Sequence, residues 1–154
     1  MEKQKKYRKG IFVVVYRIIN GKINYLVLHR KLHWRGWEFP KGGLEKNEKA
    51  RDCVKREVME ECGLKPIKII DLKINGKFRY KKEFSDRKGF VGQSWRLFCA
   101  LVEGNKIKID KLEHDGYKWV DFNKAIKMLK WKNQKYCLRI SEKYLKRIYT
   151  FQHN

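Results

Sequence analysis

The chain has little of what divides, staples or anchors a protein. Only two prolines, Pro40 and Pro66, occur in 154 residues, and no repeat, linker or low-complexity tract breaks the pattern. Cys53, Cys62, Cys99 and Cys137 form no CxxC pair and have no histidine at zinc spacing, which argues against a thiolate metal site and a disulfide framework. We expect them to be free, half-buried small hydrophobes in a reducing compartment. No apolar run approaches the ~20 residues that a membrane-spanning helix needs, and the opening MEKQKKYRKG lacks the apolar heart of an export signal. The expectation is a cytoplasmic protein with no membrane partner.

Acidic residues are scarce too. Seventeen Asp and Glu stand against 39 Lys and Arg, for a formal charge of +22. That excess has two readings: an electrostatic footprint for nucleic acid or polyphosphate, or a compositional habit. The 28 lysines far outnumber the 11 arginines and are spread along the chain, with clustering only in 77–87 and 124–147. Charge alone does not choose.

What is present is enough for one core. With 42% apolar and 14% aromatic residues, residues 1–154 should form a single domain. GIFVVVYRII (10–19) and NYLVLHRK (24–31) are β-branched and aromatic runs joined by Asn20-Gly21-Lys22, a hairpin signature. A helix is expected over 47–62, with Asn47 as N-cap and Gly63 as the left-handed residue beyond its end. Strands are expected at 66–73, 76–84, 93–102, 106–109 and 116–120. Asp121 should cap a helix carrying Phe122, Ala125, Ile126 and Leu129 on one face. A last helix near 132–149 should bury Cys137, Ile140, Tyr144, Leu145 and Ile148. This order points to a mixed α/β sandwich.

One segment departs from the general charge. GGLEKNEKARDCVKREVMEECGL (42–64) holds six acids and five bases, so the rest of the chain carries +23. On a helix, Val54, Val58 and Cys62 make an apolar stripe, and Glu57, Glu60 and Glu61 stack beside it at spacings of three and four. Like charges so placed repel. The helix face is either an ordinary solvated one, with Arg56 and Lys55 nearby, or a carboxylate cluster for a hard divalent cation, which prefers oxygen ligands.

The wider pattern resembles the Nudix box in full: Gly42, five residues, Glu48, seven residues, Arg56-Glu57-Val58, one residue, Glu60-Glu61, one residue, Gly63-Leu64. WEFPKGGLE looks like the usual approach to that box. The resemblance implies a single-domain α/β fold, the Nudix-type α/β/α sandwich with a mixed sheet, and metal-dependent hydrolysis of a diphosphate linkage. It implies that Glu57, Glu60 and Glu61 hold magnesium, or manganese in its place, with backbone oxygen around Gly42 or Gly43 assisting. Arg56 and Glu48 would tie loop to helix.

EHDGYKWVDFNKAIKMLKWKN (113–133) is similar to the same region of diadenosine tetraphosphate hydrolases and RNA pyrophosphohydrolases. There a loop glutamate completes the metal site or serves as base; the match falls on Glu113, with His114 and Asp115 as weaker candidates. Catalytic roles thus fall on Glu60, Glu113 and Arg56. Substrate contacts are assigned to Lys41, Gly42, Gly43, Arg30 and Lys81, with Tyr80 for base stacking. The substrate favoured by this reading is a dinucleoside tetraphosphate. The alternative is the 5′ end of triphosphorylated RNA, which KFRYKKEF (77–84) and VGQSWRLF (91–98) resemble somewhat more. A non-catalytic Nudix-fold nucleotide-binding module ranks lower, because no carboxylate of the box is missing.

Overall fold

A computed structural model describes residues 6–104 and 106–150. In chain order the elements are β1 (Lys6–Ile19), β2 (Lys22–Arg30), β3 (Gly36–Glu38), β4 (Lys41–Gly43), α1 (Ala50–Cys62), β5 (Lys68–Arg79), β6 (Phe90–Leu101), β7 (His114–Val120), α2 (Phe122–Met128) and α3 (Lys132–Thr150), with a single 3-10 turn at Ser85–Arg87. They build one mixed seven-stranded sheet in the order β3-β2-β1-β6-β5, with β4 on β1 and β7 on β2. β1 and β6 run parallel; every other pair is antiparallel.

Alternation along β1 divides the core in two. Ile11, Val13 and Val15 face Cys53, Val54, Val58 and Cys62 of α1. Phe12, Val14 and Tyr16 face the layer containing Ala125 of α2 and Cys137, Leu138 and Leu145 of α3. A strand buried on both faces reads as a continuous apolar run, as residues 11–16 do. The α/β/α sandwich is therefore observed. The β1–β2 turn also forms as expected: Asn20 (φ 51°) and Gly21 (φ 73°) are both left-handed, as a two-residue hairpin turn requires.

Several local expectations are corrected. α1 begins at Ala50, and Lys49 occupies the cap position without a side-chain bond. Asn47 is instead a left-handed turn residue (φ 63°). Glu48 organises this entry: its backbone N–H reaches Glu45 O at 3.0 Å while its carboxylate accepts from Glu45 N at 3.0 Å. Gly63 does end the helix in the left-handed region (φ 70°), donating to Met59 O. The two strands expected at 66–73 and 76–84 are one strand, β5, whose register slips between Asp71 and Asn75; Asp71 accepts from Lys73 N, and Lys73 adopts φ 56°. Residues 106–109 form no strand: Ile107 and Ile109 pack on the α1-side core while Lys108 N donates to Cys62 O. Tyr144 is 38% exposed, because the buried stripe of α3 runs through Gln134, Cys137, Leu138, Ser141 and Leu145. The four cysteines are free, as expected, and fully buried. Asp121 caps α2 through Lys124 N. Among the described residues, no helix is long and apolar enough to cross a membrane.

Candidate active site

Loop and helix meet on one arginine. Arg56 donates to both Glu48 oxygens at 2.8 Å, to Gly43 O at 2.9 Å and to Glu57 Oε1 at 2.8 Å, with Glu60 3.3 Å away. This planar fork fastens the 43–48 turn to α1, and its bonds hold the Glu48 carboxyl down at about 2. Gly42 and Gly43 are needed because side chains approach the backbone there. A side chain on Gly42 would collide with the Glu57 carboxyl, and one on Gly43 with the Arg8 guanidinium.

The carboxylates that Arg56 leaves over are in conflict. Glu61 is 2% exposed; Oε2 accepts from Lys41 N at 3.1 Å, and Oε1 has no partner. Burial, and then repulsion from Glu57, Glu113 and Glu38, push its carboxyl well above the usual range. Burial also raises Glu57 to about 7 despite Arg56, with Glu60 adding to the shift. Ligand atoms of Glu61, Glu113 and His114 lie within 4.8 Å of one another. An orphaned buried oxygen and two carboxyls driven toward protonation are what a hard cation would satisfy, so the residues fit a divalent metal.

Opposite stands a wall of cations around a buried acid. Glu38 is 1% exposed and accepts from Arg30 Nη1 (3.0 Å) and Trp34 Nε1 (3.1 Å), with His114 Nε2 at 3.0 Å and Lys41 Nζ at 3.6 Å. Burial alone would raise its carboxyl; Lys41, His114 and Arg30 outweigh it and hold it at about 2. Lys41 and Arg30 lie against the indole of Trp34, 4.1 and 4.5 Å from its centre. Burial brings Lys41 down to about 8 against the pull of Glu38. Both cations, with Arg8, Arg87 and Gln93, line one cavity of about 270 Å³ whose acidic side is Glu57, Glu60, Glu61 and Glu113. Gln93 is 2% exposed with its Nε2 unpartnered. A larger hollow of about 410 Å³ at the other end of the sheet, between Ile18, Lys22, Phe122 and Tyr149, has no comparable cluster: its acids Asp121 and Glu142 cap α2 and bond Tyr25.

The predicted residues divide clearly. Arg30, Lys41, Gly42, Arg56, Glu57, Glu60, Glu61 and Glu113 converge on the cavity. Gly43 stands behind it, its carbonyl taken by Arg56. Tyr80 and Lys81 do not line it. Tyr80 supports the wall instead, its hydroxyl accepting from Arg87 at 3.2 Å and lying 3.5 Å from Gln93 Oε1; Lys81 points to solvent. Asp115 pairs with His29 at 2.6 Å, away from the cavity, and His114 is a buried partner of Glu38. Sequence reasoning missed Arg8, Glu38, Arg87 and Gln93. Glu38 sits in the quoted WEFPKGGLE, Arg87 at the end of the basic cluster 77–87 and Gln93 in the quoted VGQSWRLF, but nothing local singled out these residues, or Arg8, for the cavity. The positions of Arg8 and Gln93 follow from their pairing across β1 and β6.

Carboxylates that face cations across one cavity are suited to holding a divalent cation against phosphate oxygens. The NUDIX domain model matches residues 6–139; the chain belongs to that family and is a Nudix hydrolase. It is 29% identical over 137 residues to an RNA pyrophosphohydrolase of Bartonella henselae, covering 75% of this chain and 76% of that one. To the RNA pyrophosphohydrolase of Halorhodospira halophila it is 31% identical, covering 56% of this chain and 53% of that one. An m7GpppN-mRNA hydrolase of Saccharomyces cerevisiae is 30% identical over 86% of this chain, a stretch amounting to 13% of the yeast protein. Among solved structures, a Caenorhabditis elegans Ap4A hydrolase in binary complex superposes with a TM-score of 0.72 at 24% identity, covering 90% of this chain and 97% of that one, a likeness of fold.

Proposed function

We propose that the protein cleaves a phosphoric anhydride bond in a nucleoside polyphosphate, and that this substrate is the 5′ end of triphosphorylated RNA. The observation carrying the first part is the divided cavity: buried, partly unpaired carboxylates on one side and Arg8, Arg30, Lys41 and Arg87 on the other. In this reading Glu57, Glu60 and Glu61 hold magnesium or manganese. When bound, the metal neutralises phosphate oxygens and activates water. Lys41 and Arg30, fixed by Trp34 and Glu38, take phosphate oxygens, as do Arg8 and Arg87. Gln93 Nε2 supplies one further donor. Glu113, which lines the cavity and whose backbone O accepts from Lys31 N at 2.9 Å, accepts the proton of the attacking water in this reading. Arg56 positions the carboxylates and stays out of the chemistry.

The choice of RNA rests on the names of the relatives above and on a charge of +22, which serves a polymer more than a short phosphate chain. It reverses the order in which the residues alone ranked the two substrates. A dinucleoside polyphosphate is the second reading, favoured by a cavity that demands nothing longer than a phosphate chain. The test compares turnover of diadenosine tetraphosphate with that of 5′-triphosphorylated short RNA at matched salt and metal. Higher kcat/KM on RNA is expected; a preference for the dinucleotide would transfer the assignment.

A further inference from the structure

The cation cluster that the cavity leaves unused is on α3. Lys132, Lys135, Arg139, Lys143, Lys146 and Arg147 recur at spacings of three and four, as does Tyr136, so all seven share about a third of the helix circumference. That face is directly opposite the buried stripe of Gln134, Cys137, Leu138, Ser141 and Leu145. Lys132, Arg139, Lys143, Lys146 and Arg147 are exposed, and Tyr136 is 53% exposed. The one acid of α3, Glu142, lies beside this face and turns inward, bonding the Tyr25 hydroxyl, with Lys146 at 3.4 Å.

Two physical costs mark the arrangement. Like charges at these spacings repel, and Lys132 and Lys135 sit in a first turn that has no acid, at the positive end of the helix dipole. A solvated helix avoids both by interspersing carboxylates; a polyanion laid along it relieves both. The place is also right. Trp131, just before α3, packs edge-on against Trp34 with centroids 6.0 Å apart, and Gln134 accepts from Phe39 N at 2.8 Å. Trp34 in turn carries Lys41 and Arg30 of the cavity wall. The face therefore starts one aromatic contact from the cavity and leads away from it for roughly 22 Å, at 1.5 Å per residue.

We propose that the outer face of α3 binds the sugar-phosphate backbone of single-stranded RNA whose 5′ end occupies the cavity, with Tyr136 offering a ring to a base. The placement of the 5′ end rests on the RNA reading above; binding along α3 does not. Its apolar side is consumed by the core, so α3 has no buried face to lend to a lipid surface.

The test uses full-length Arg139→Glu/Lys143→Glu beside the milder Arg139→Gln/Lys143→Gln, both checked by melting temperature. Neither residue contacts the cavity, so turnover of a 5′-triphosphorylated dinucleotide should stay within about twofold. For a 5′-triphosphorylated RNA of about twenty nucleotides, kcat/KM should fall at least about tenfold with the Glu pair and less with the Gln pair. Affinity for the same RNA with a 5′-hydroxyl should fall in parallel, and its log K against log salt should flatten by about 0.7 for each cation removed. Unchanged affinity and slope for the 5′-hydroxyl RNA in both variants would overturn the proposal, as would a loss confined to binding of phosphatidylserine vesicles. If the wild type cleaves no triphosphorylated RNA yet the 5′-hydroxyl RNA still loses affinity in the variants, the assigned substrate is wrong and the α3 surface stands.

Discussion

α1 and α3 flank the same sheet from opposite sides and treat charge in opposite ways. α1 sets Glu57 and Glu61 on the edge of its apolar stripe, so they enter the interior with too few partners. α3 carries its six cations on the side away from its stripe, and five of them, all but Lys135, are exposed to water. A charge forced into a low-dielectric place is costly until something binds it, which makes α1 a short-range, chemical element. Exposed charges of one sign cost little each and act over roughly a Debye length, which suits attraction of a long ligand.

The sharpest way to break this contrast is Glu61→Gln. Removing the buried charge should cost several kcal/mol of transition-state stabilisation, roughly a hundredfold or more in kcat/KM. In the metal-free protein the same change should raise the melting temperature, since the buried carboxyl must take up a proton on folding or stay charged in the interior, and the amide need do neither. Turnover near that of the wild type in a well-folded variant would end the metal assignment.

Glu113→Gln should lower kcat by about a hundredfold while KM stays within a few-fold, because the side chain is assigned to proton transfer. Asp115→Asn, which touches His29 outside the cavity, should leave both constants nearly unchanged. If the two variants exchange behaviour, the assignment of the loop is wrong by two residues.

A gentler probe is the pH dependence of metal stabilisation. Glu57 is raised to about 7 and Glu61 well above the usual range. The native state therefore holds more protons than the unfolded chain above about pH 4.5, the ordinary glutamate value, and metal-free stability falls as pH rises through that window. A cation must displace those protons. The melting-temperature gain from magnesium should thus be larger at pH 8 than at pH 5.5; a pH-independent gain would mean that the metal binds elsewhere.

The smallest expected effects concern the helix starts. Lys49 caps α1 with no side-chain bond, whereas Asp121 accepts from Lys124 N at 2.8 Å. Lys49→Asp should stabilise by about 0.5–1 kcal/mol and Asp121→Ala destabilise by about 1 kcal/mol, read from denaturant midpoints. No gain from Lys49→Asp would show that the Glu45–Glu48 turn already satisfies the entry to α1.

Much of this was legible in order and spacing. The hairpin at Asn20-Gly21, the α1 carboxylates, the Gly63 stop and the Asp121 cap depend on neighbours within a few residues, and local sterics and hydrogen bonding fix them. So does the family-defining segment from Gly42 to Leu64, because its parts act within one loop and one helix. The N-cap assigned to Asn47 failed because Glu48, held by Arg56 eight residues on, reorganised that turn. Tyr80, assigned to base stacking, stands outside the cavity because Phe78 and Phe84 pack against its ring and Arg87 lies over it. What only the tertiary structure decided was the cation wall. Arg8 meets Gln93 through the parallel β1–β6 pairing, and Glu38 meets His114 across β2, contacts separated by 85 and 76 residues. No periodicity encodes such meetings: they depend on which strands pair and in what register, and that is settled by burying the whole apolar surface at once.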